Sequence, residues 1–307
     1  MVDVELQEPR SPGPGEVVLR TLVSALSAGT EGLLWRGDWP PGIPWELQGP
    51  PSVYPVHPGY AAVGDIESVG QGVDPSLVGQ RVFAFAPHGE RSVVAIDRIV
   101  QVPAPLDPED AVFLATLETA LTVVQDGGPV VGETAGVLGL GPVGLLAGLV
   151  CAGSFSTVVW DTQPFRRARA KALGLDQVKE LGEESCDVVL ELTGSPRALD
   201  RAVAATRFSG RVVLGSWYGS RPVAVDLGGR FHRSRIELVS SQVSTLSPRL
   251  SGRWTKARRF EVALGYAARF RPSRLVTHRF RLEDAAEAYR QACERPGETL
   301  QVLFTYG

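Results

Sequence analysis

The sequence predicts an α/β protein in which a parallel sheet, wound with helices on both faces, is joined to an irregular β-rich domain. Between about Glu118 and Val243, helix-length segments alternate with runs of β-branched residues, and such alternation is typical of a doubly wound parallel sheet. The residues before Glu118 form short β-rich pieces between turns of proline and glycine, which is the pattern of a compact β domain. A chain of 307 residues is long enough for two hydrophobic cores, so we expect two domains.

The predicted elements follow from these patterns in chain order. The β-rich part has short strands at residues 17–19, 61–63, 81–83 and 92–94. An apolar helix at 113–124 precedes predicted strands at 135–138, 157–160, 187–190, 211–214 and 236–239, with helices near 142–152, 164–173 and 196–206. Two helices, at 255–270 and 283–295, and a strand at 299–304 complete the chain.

Composition excludes several classes of partner. The net charge is −3 and there is no basic block, so nucleic acid is not expected as a partner. No apolar run reaches the roughly 18 residues that cross a membrane. The polar N-terminus lacks the apolar core of a signal peptide, and the three cysteines, Cys151, Cys186 and Cys293, are widely spaced. These features predict reduced thiols and a cytoplasmic protein.

The most informative motif is the run Gly139-Leu140-Gly141-Pro142-Val143-Gly144, which separates an apolar strand from an apolar helix. In such a turn the first glycine allows a tight bend, the second lets the backbone approach a pyrophosphate, and the third permits close packing of helix on strand. Backbone N–H groups at the start of the helix then bind the phosphates. Asp161 ends the next strand about 20 residues later, which completes the fingerprint of a dinucleotide-binding site.

The residue at the end of the second strand bears on which dinucleotide binds. A carboxylate at Asp161 can accept hydrogen bonds from both ribose hydroxyls and would repel a 2′-phosphate, so it favours NAD over NADP. Arg166 and Arg167 follow on the next turn and could favour a phosphate instead, or lie on a solvated helix face. NAD is therefore the predicted cofactor, with NADP possible.

Further segments resemble one superfamily, the medium-chain dehydrogenases/reductases, which include zinc alcohol dehydrogenases and quinone oxidoreductases. Beside the glycine run they are residues 59–70 (GYAAVGDIESVG), 78–82 (VGQRV), 276–280 (VTHRF) and 282–289 (LEDAAEAY). The segments 27–31 (SAGTE) and 58–60 (PGY) are similar to the branch that contains bacteriochlorophyllide dehydrogenase.

This resemblance implies a Rossmann doubly wound parallel sheet inserted in a GroES-like β-rich catalytic domain. The implied boundaries are 1–118 for the first part of the catalytic domain, 119–245 for the Rossmann domain and 246–307 for the return to the catalytic domain. It also implies a homodimer that pairs through an edge strand of each Rossmann sheet.

The zinc ligands of the superfamily are missing at their matching positions. The position of the ligand cysteine falls on Ala28, the histidine on Tyr60 with Ala61 beside it, and the third ligand on Ala115. Alanine cannot bind zinc and a neutral tyrosine is a poor ligand. About ten residues separate Val82 from Val93 and none is cysteine, so the structural zinc lobe is also predicted absent. His57 with Glu31 or Glu118 would be an unusual alternative metal site.

Without zinc, a hydroxyl or imidazole group must handle the proton, and three residues are candidates. Tyr60 replaces a metal ligand, so its phenol is the leading candidate for proton donor, unless it only fills the vacated space. Thr30 matches the hydroxyl of the family's proton relay, or is a satisfied turn residue. His57 and the second loop histidine, His88, could shuttle protons, although ordinary structural roles are also open.

The resemblance also implies which residues border the cofactor. Thr119 matches the threonine that packs behind the nicotinamide ring, and the Glu118 carboxylate beside it is predicted on the helix surface, or buried with a partner. Thr193 should border the adenosine half. Gly215, Ser216 and Ser241 follow strand ends that the family places around the carboxamide.

These residues predict a zinc-independent NAD(P)-dependent oxidoreductase that transfers hydride between nicotinamide and a secondary alcohol or ketone, or a related C=N or C=C substrate. One alternative is an NADPH-dependent quinone or enone reductase, against which Asp161 argues. The other is a nicotinamide-redox sensor that has lost catalysis. The small-molecule substrate itself is unreadable, but four aromatic residues either line its pocket or belong to the core: Trp35, Trp39, Trp45 and Tyr54.

Overall fold

A computed structural model describes residues 2–7, 10–44 and 54–307. The chain divides into two compact units, one formed by residues 1–115 and 264–307 and the other by 116–263. The chain passes between them inside two helices, α3 (Leu114–Gly127) and α7 (Lys256–Phe270). The first boundary predicted from sequence falls within α3, whereas the second falls before α7 rather than inside it. The start of α7 lies in the second unit, where its Lys256 forms an ion pair with Glu118 of α3.

The first unit is built on an antiparallel-rich sheet that both chain ends share. Among the described residues the sheet has seven strands, in the order β11-β12-β1-β2-β3-β5, with β4 paired to β1. Their bounds are β1 Glu16–Leu26, β2 Ala62–Val69, β3 Arg81–Ala84, β4 Arg91–Ala95, β5 Ile99–Gln101, β11 Val276–Arg281 and β12 Gln301–Thr305. Since β12 pairs antiparallel with β1, the C-terminal strands complete the sheet begun at the N-terminus, as the sequence predicts. Three helices belong here: α1 Glu31–Arg36, α2 Pro108–Ala111 and α8 Ala285–Glu294.

The second unit contains the predicted parallel sheet. Within the described residues its five strands run in the order β10-β9-β8-β6-β7, and every pair is parallel. The strands are β6 Thr134–Leu138, β7 Ser156–Trp160, β8 Cys186–Glu191, β9 Thr206–Leu214 and β10 Glu237–Ser240, and the helices besides α3 are α4 Pro142–Ala152, α5 Pro164–Ala172 and α6 Ala198–Ala205. Most residues of β6 and β8 are buried, which explains their apolar runs.

The strand order fixes where a ligand belongs in this sheet. β7 lies on one side of β6 and β8 on the other, so the order reverses at β6, and ligands of such sheets bind beyond the carboxyl ends of the strands at that point. The glycine run follows β6 directly. β10 lies at an edge of the sheet, and pairing of two copies through it stays a prediction. In the described part of the chain, no helix combines the length and the apolar character that crossing a membrane requires.

Candidate functional site

The turn after β6 requires glycine at two positions. Gly139 has a φ of 94°, and a Cβ there would lie 2.5 Å from the carbonyl oxygen of Leu192. A Cβ on Gly144 would lie 1.9 Å from the carbonyl oxygen of Gly139. Such distances are impossible for non-bonded atoms, so α4 packs on the turn only because neither residue has a side chain.

The second position of the motif is glycine for a different reason. Gly141 has an ordinary φ of −69°, and among the described atoms a Cβ there would approach nothing closer than Nη1 of Arg166, at 4.0 Å. The space beside this residue is therefore open, and it lies at the N-terminus of α4. Pro142 occupies the first helical position, where no N–H is needed, while the N–H groups of Val143 and Gly144 belong to the unsatisfied first turn. These residues fit the pyrophosphate of a dinucleotide.

Asp161 holds the end of β7 against the same turn. Its side chain is buried, and its two carboxylate oxygens accept hydrogen bonds from the backbone N–H groups of Leu140, at 2.7 Å, and Gln163, at 2.8 Å. An ionised carboxylate has about four acceptor positions, so about two remain for ribose hydroxyls. Nη1 of Arg166 lies 3.5 Å from the carboxylate, and its Nε is buried without a hydrogen-bond partner among the described residues. Arg167 instead donates to the carbonyl oxygen of Asp161 and stacks on a tryptophan, so its role is structural.

Glu191, which the sequence reasoning overlooked, gathers three of the predicted cofactor residues. It is fully buried at the end of β8, and its side chain accepts hydrogen bonds from the N–H and hydroxyl of Thr193 and from the hydroxyl of Tyr218. Its carbonyl oxygen accepts the N–H groups of Gly215 and Ser216. Burial and the Glu191 carboxylate raise the pKa of Tyr218. An acid ending an otherwise apolar strand was the available signal in the sequence.

A buried ionic cluster lies beside Thr119 in the same unit. Glu118 is buried, not on the helix surface as predicted, because Lys256 supplies an ion pair and Nη1 of Arg259 lies 3.6 Å away. Burial raises the pKa of Glu118, and Lys256 opposes that shift. Thr119 is half-buried on α3, and its place behind a nicotinamide ring stays a prediction. Ser241 follows β10 and donates its hydroxyl to Asp126.

In the first unit, three hydroxyl groups meet at the turn after β1. The Tyr60 hydroxyl hydrogen-bonds with the side chains of Ser27 and Thr30. Burial raises the pKa of Tyr60; the bonds to Ser27 and Thr30 oppose this shift, and the nearby Glu31 charge reinforces it. Two of the predicted catalytic residues, Tyr60 and Thr30, are therefore in direct contact. The third, His57, is exposed on the segment that leads to Tyr60.

Glu31 and His88 form a buried pair behind these hydroxyls. Neither side chain is appreciably exposed, and Nε2 of His88 lies 3.0 Å from a carboxylate oxygen of Glu31. The same carboxylate accepts the hydroxyl of Tyr289, and its other oxygen accepts the N–H of Ser27 at 2.8 Å. Glu31 is thus bonded to His88 rather than to His57.

The aromatic residues divide between core and surface. Trp35 stacks on Tyr289 and packs on the apolar cluster around α8, so it belongs to the core of the first unit. Tyr54 is mostly exposed and donates its hydroxyl to the carbonyl oxygen of Leu34. Trp39 donates its indole N–H to the carbonyl oxygen of Ile43, and Trp45 lies outside the described residues.

The side chains at the superfamily's zinc positions do not fit a metal. Ala28 packs on the apolar cluster around α8, Ala61 is buried, and Ala115 is a buried residue of α3. Across residues 2–7, 10–44 and 54–307, no group of three or more His, Cys, Asp or Glu side chains could hold a metal ion.

Comparison with known proteins places these features in context. No family model matches the chain. The chain is 28% identical over 302 residues to 2-desacetyl-2-hydroxyethyl bacteriochlorophyllide A dehydrogenase of Rhodobacter capsulatus, a match that covers 93% of this chain and 88% of that protein. It is 26% identical over 348 residues to the L-threonine 3-dehydrogenase of Pyrococcus abyssi, with 98% and 94% covered.

Solved structures agree with the fold. An alcohol dehydrogenase, RspB, of Escherichia coli, crystallised with NADH, has a TM-score of 0.79 and 21% identity, and the match covers 98% of this chain and 94% of that one. The 2R,3R-butanediol dehydrogenase of Bacillus subtilis has a TM-score of 0.78 at 21% identity, with 99% and 96% covered. In sequence and in fold, the chain is therefore similar to dehydrogenases of the medium-chain dehydrogenase/reductase type.

Proposed function

We propose that the protein is an NAD(P)-dependent dehydrogenase that interconverts a secondary alcohol and a ketone without zinc, with Tyr60 as the proton donor. The observation that carries this proposal is the hydroxyl cluster of Ser27, Thr30 and Tyr60, in which Tyr60 stands at the position that matches the superfamily's ligand histidine. L-threonine and 2,3-butanediol, the compounds named for two of the relatives, both contain a secondary hydroxyl. The substrate class is therefore proposed from the relatives, and the proton chemistry from this chain's residues.

The dinucleotide, when bound, supplies or accepts the hydride at the substrate carbon. The residues of the second unit bind and orient it: the glycine run at the pyrophosphate, Asp161 at the adenosine ribose, and Thr119 at the nicotinamide. The first unit handles the proton. A phenol is protonated at neutral pH and the pKa of Tyr60 is raised further, so its hydroxyl can donate to a carbonyl oxygen. The hydroxyls of Ser27 and Thr30 then stabilise the phenolate that is left.

We further propose that NAD is preferred over NADP. Asp161→Ser should raise the affinity for NADPH relative to NADH by about tenfold or more, because it removes the charge that repels a 2′-phosphate while Arg166 remains. Calorimetric titration of both cofactors measures the ratio. Asp176→Ser, at an exposed aspartate of the same unit, is the matched control and should leave the ratio unchanged. Tighter binding of NADPH than NADH by the unaltered protein would contradict the assignment.

A substrate panel separates this function from the two alternatives. We expect NADH formation with at least one secondary alcohol among L-threonine, (R,R)-2,3-butanediol and 1-phenylethanol. NADPH-dependent reduction of an enone or a quinone, with no turnover of the alcohols, would identify a quinone or enone reductase. Tight NADH binding without turnover of any compound would identify a redox sensor.

A further inference from the structure

We propose that His88 is a positioning residue that fastens the Tyr60 segment to the Thr30 turn, so that the hydroxyls of Ser27, Thr30 and Tyr60 work as one proton-handling group. The chemical role of this group rests on the proposed function. The link that His88 forms between the Tyr60 segment and the Thr30 turn rests on contacts within the first unit, on both sides of the His88 ring.

On one side, His88 contacts the segment that carries Tyr60. The backbone N–H of His88 donates to the carbonyl oxygen of Pro58 at 2.9 Å. Gly59 has a φ of 102°, and a Cβ there would lie 2.5 Å from the backbone nitrogen of His88 and 2.8 Å from its Cγ. The residue before Tyr60 is therefore packed directly on His88, at a distance that only glycine permits.

On the other side, His88 reaches the turn that carries Thr30. Its Nε2 lies 3.0 Å from Glu31, whose second oxygen accepts the N–H of Ser27 at 2.8 Å. The Ser27 side chain in turn bonds the Tyr60 hydroxyl and accepts the N–H of Thr30 at 3.3 Å. The contacts close into a ring that returns to Tyr60, and His88 is the member that touches both segments.

Both nitrogens of the His88 ring are hydrogen-bonded. Nε2 bonds the Glu31 carboxylate, and Nδ1 bonds Ser24, whose Oγ is 2.7 Å away. Ser24 is also hydrogen-bonded to the hydroxyl of Tyr306, 2.7 Å away, and the Tyr306 oxygen accepts the N–H of Gly89. The ring of His88 is also held edge-on against Phe304. The orientation of the His88 ring is therefore fixed by contacts on every side.

The hydrogen bond between His88 and Glu31 is the contact that holds the Thr30 turn in place. Glu31 is fully buried and its charge is balanced by three donors: the Ser27 N–H, His88 and the Tyr289 hydroxyl. A buried carboxylate that loses a donor is strongly destabilised, and the local structure then rearranges to recover one. Ser27 and Thr30 lie on that local structure, so the hydroxyls would lose their alignment with Tyr60.

Two substitutions at His88 isolate this bond. His88→Gln places an amide N–H near the position of Nε2 and retains the donor to Glu31, whereas His88→Asn reaches only the position of Nδ1. We expect His88→Gln to keep kcat within about threefold of the unaltered protein and His88→Asn to lower kcat by about tenfold or more. The KM for the dinucleotide should not change in either variant, because its residues lie in the second unit. The kcat is measured with the alcohol turned over fastest among L-threonine, (R,R)-2,3-butanediol and 1-phenylethanol.

Hydrogen–deuterium exchange tests, without any substrate, whether His88 links the Tyr60 segment to the Thr30 turn. His88→Asn should raise exchange by about tenfold or more in peptides covering residues 24–31 and 57–60, while peptides covering 139–161 stay as in the unaltered protein. Glu31→Gln, which keeps the side-chain volume but presents one acceptor oxygen to three donors, should produce the same local pattern. His278→Asn, at a histidine of β11 outside this group, is the control and should change neither exchange nor kcat.

The outcomes separate this inference from the proposed function. Unchanged exchange at both segments in His88→Asn and Glu31→Gln would contradict the proposed role of His88. An equal loss of kcat in His88→Gln and His88→Asn would also contradict it. If no alcohol of the panel is turned over by the unaltered protein, the proposed function fails, and the exchange measurement alone decides whether His88 holds the two segments together.

Discussion

Gly144→Val should abolish dinucleotide binding. A Cβ at this position would lie 1.9 Å from the carbonyl oxygen of Gly139, and both partners are backbone, so no side-chain rotation relieves the clash. The first turn of α4 must then move away from the glycine run, which removes its N–H groups from the phosphates. We expect the affinity for NADH to fall by about a hundredfold or more, which corresponds to about 2.7 kcal/mol of binding free energy.

Gly153→Val is the matched control for this experiment. Gly153 follows α4 at its other end, has an ordinary φ, and a Cβ there would approach no atom of the described residues closer than 3.4 Å. NADH fluorescence titration of both variants, with thermal unfolding to confirm that each is folded, gives the comparison. Binding of NADH by Gly144→Val with the affinity of the unaltered protein would show that the dinucleotide is held elsewhere.

Tyr60→Phe should lower kcat for ketone reduction by about tenfold or more, with NADH binding unchanged, because only the hydroxyl group is removed. The pH dependence of kcat has an expected direction. The raised pKa of Tyr60 keeps the phenol protonated through neutral and mildly alkaline pH, so the rate should fall only above the ordinary range of tyrosine ionisation. Tyr60→Phe should lose that alkaline fall, since no proton donor remains to ionise.

Tyr54→Phe serves as the control, because this exposed tyrosine lies in the same unit and bonds only to a backbone carbonyl oxygen in the described structure. Steady-state rates are measured across a pH series, with saturating NADH, for the unaltered protein, Tyr60→Phe and Tyr54→Phe. A change in kcat of less than about twofold in Tyr60→Phe would assign the aromatic ring a space-filling role and remove the phenol from the mechanism.

The parallel sheet was predictable because β6, β7 and β8 are mostly buried and contain short apolar runs between glycine and proline turns. The glycine run was predictable for a related reason: only glycine satisfies the geometry at Gly139 and Gly144. Local sequence therefore determines these parts of the molecule, and the second unit follows the prediction strand by strand.

The polar networks were not predictable from the sequence. Glu118 was expected on the helix surface, but Lys256, 138 positions further on, pairs with it and allows it to be buried. The Glu31–His88 pair joins residues 57 positions apart, and the Tyr289 hydroxyl comes from 258 positions away. No periodicity marks such partners.

Zinc content, measured together with turnover, tests the central claim most directly. The purified protein is dialysed against a chelator, its zinc is determined by elemental mass spectrometry, and NADH-dependent reduction is followed with the ketone that is reduced fastest. We predict full turnover with far less than one zinc per chain, because Ala28, Tyr60 and Ala115 stand at the ligand positions. One zinc per chain, with turnover lost on chelation and restored by zinc, would contradict the proposal that Tyr60 acts in place of the metal.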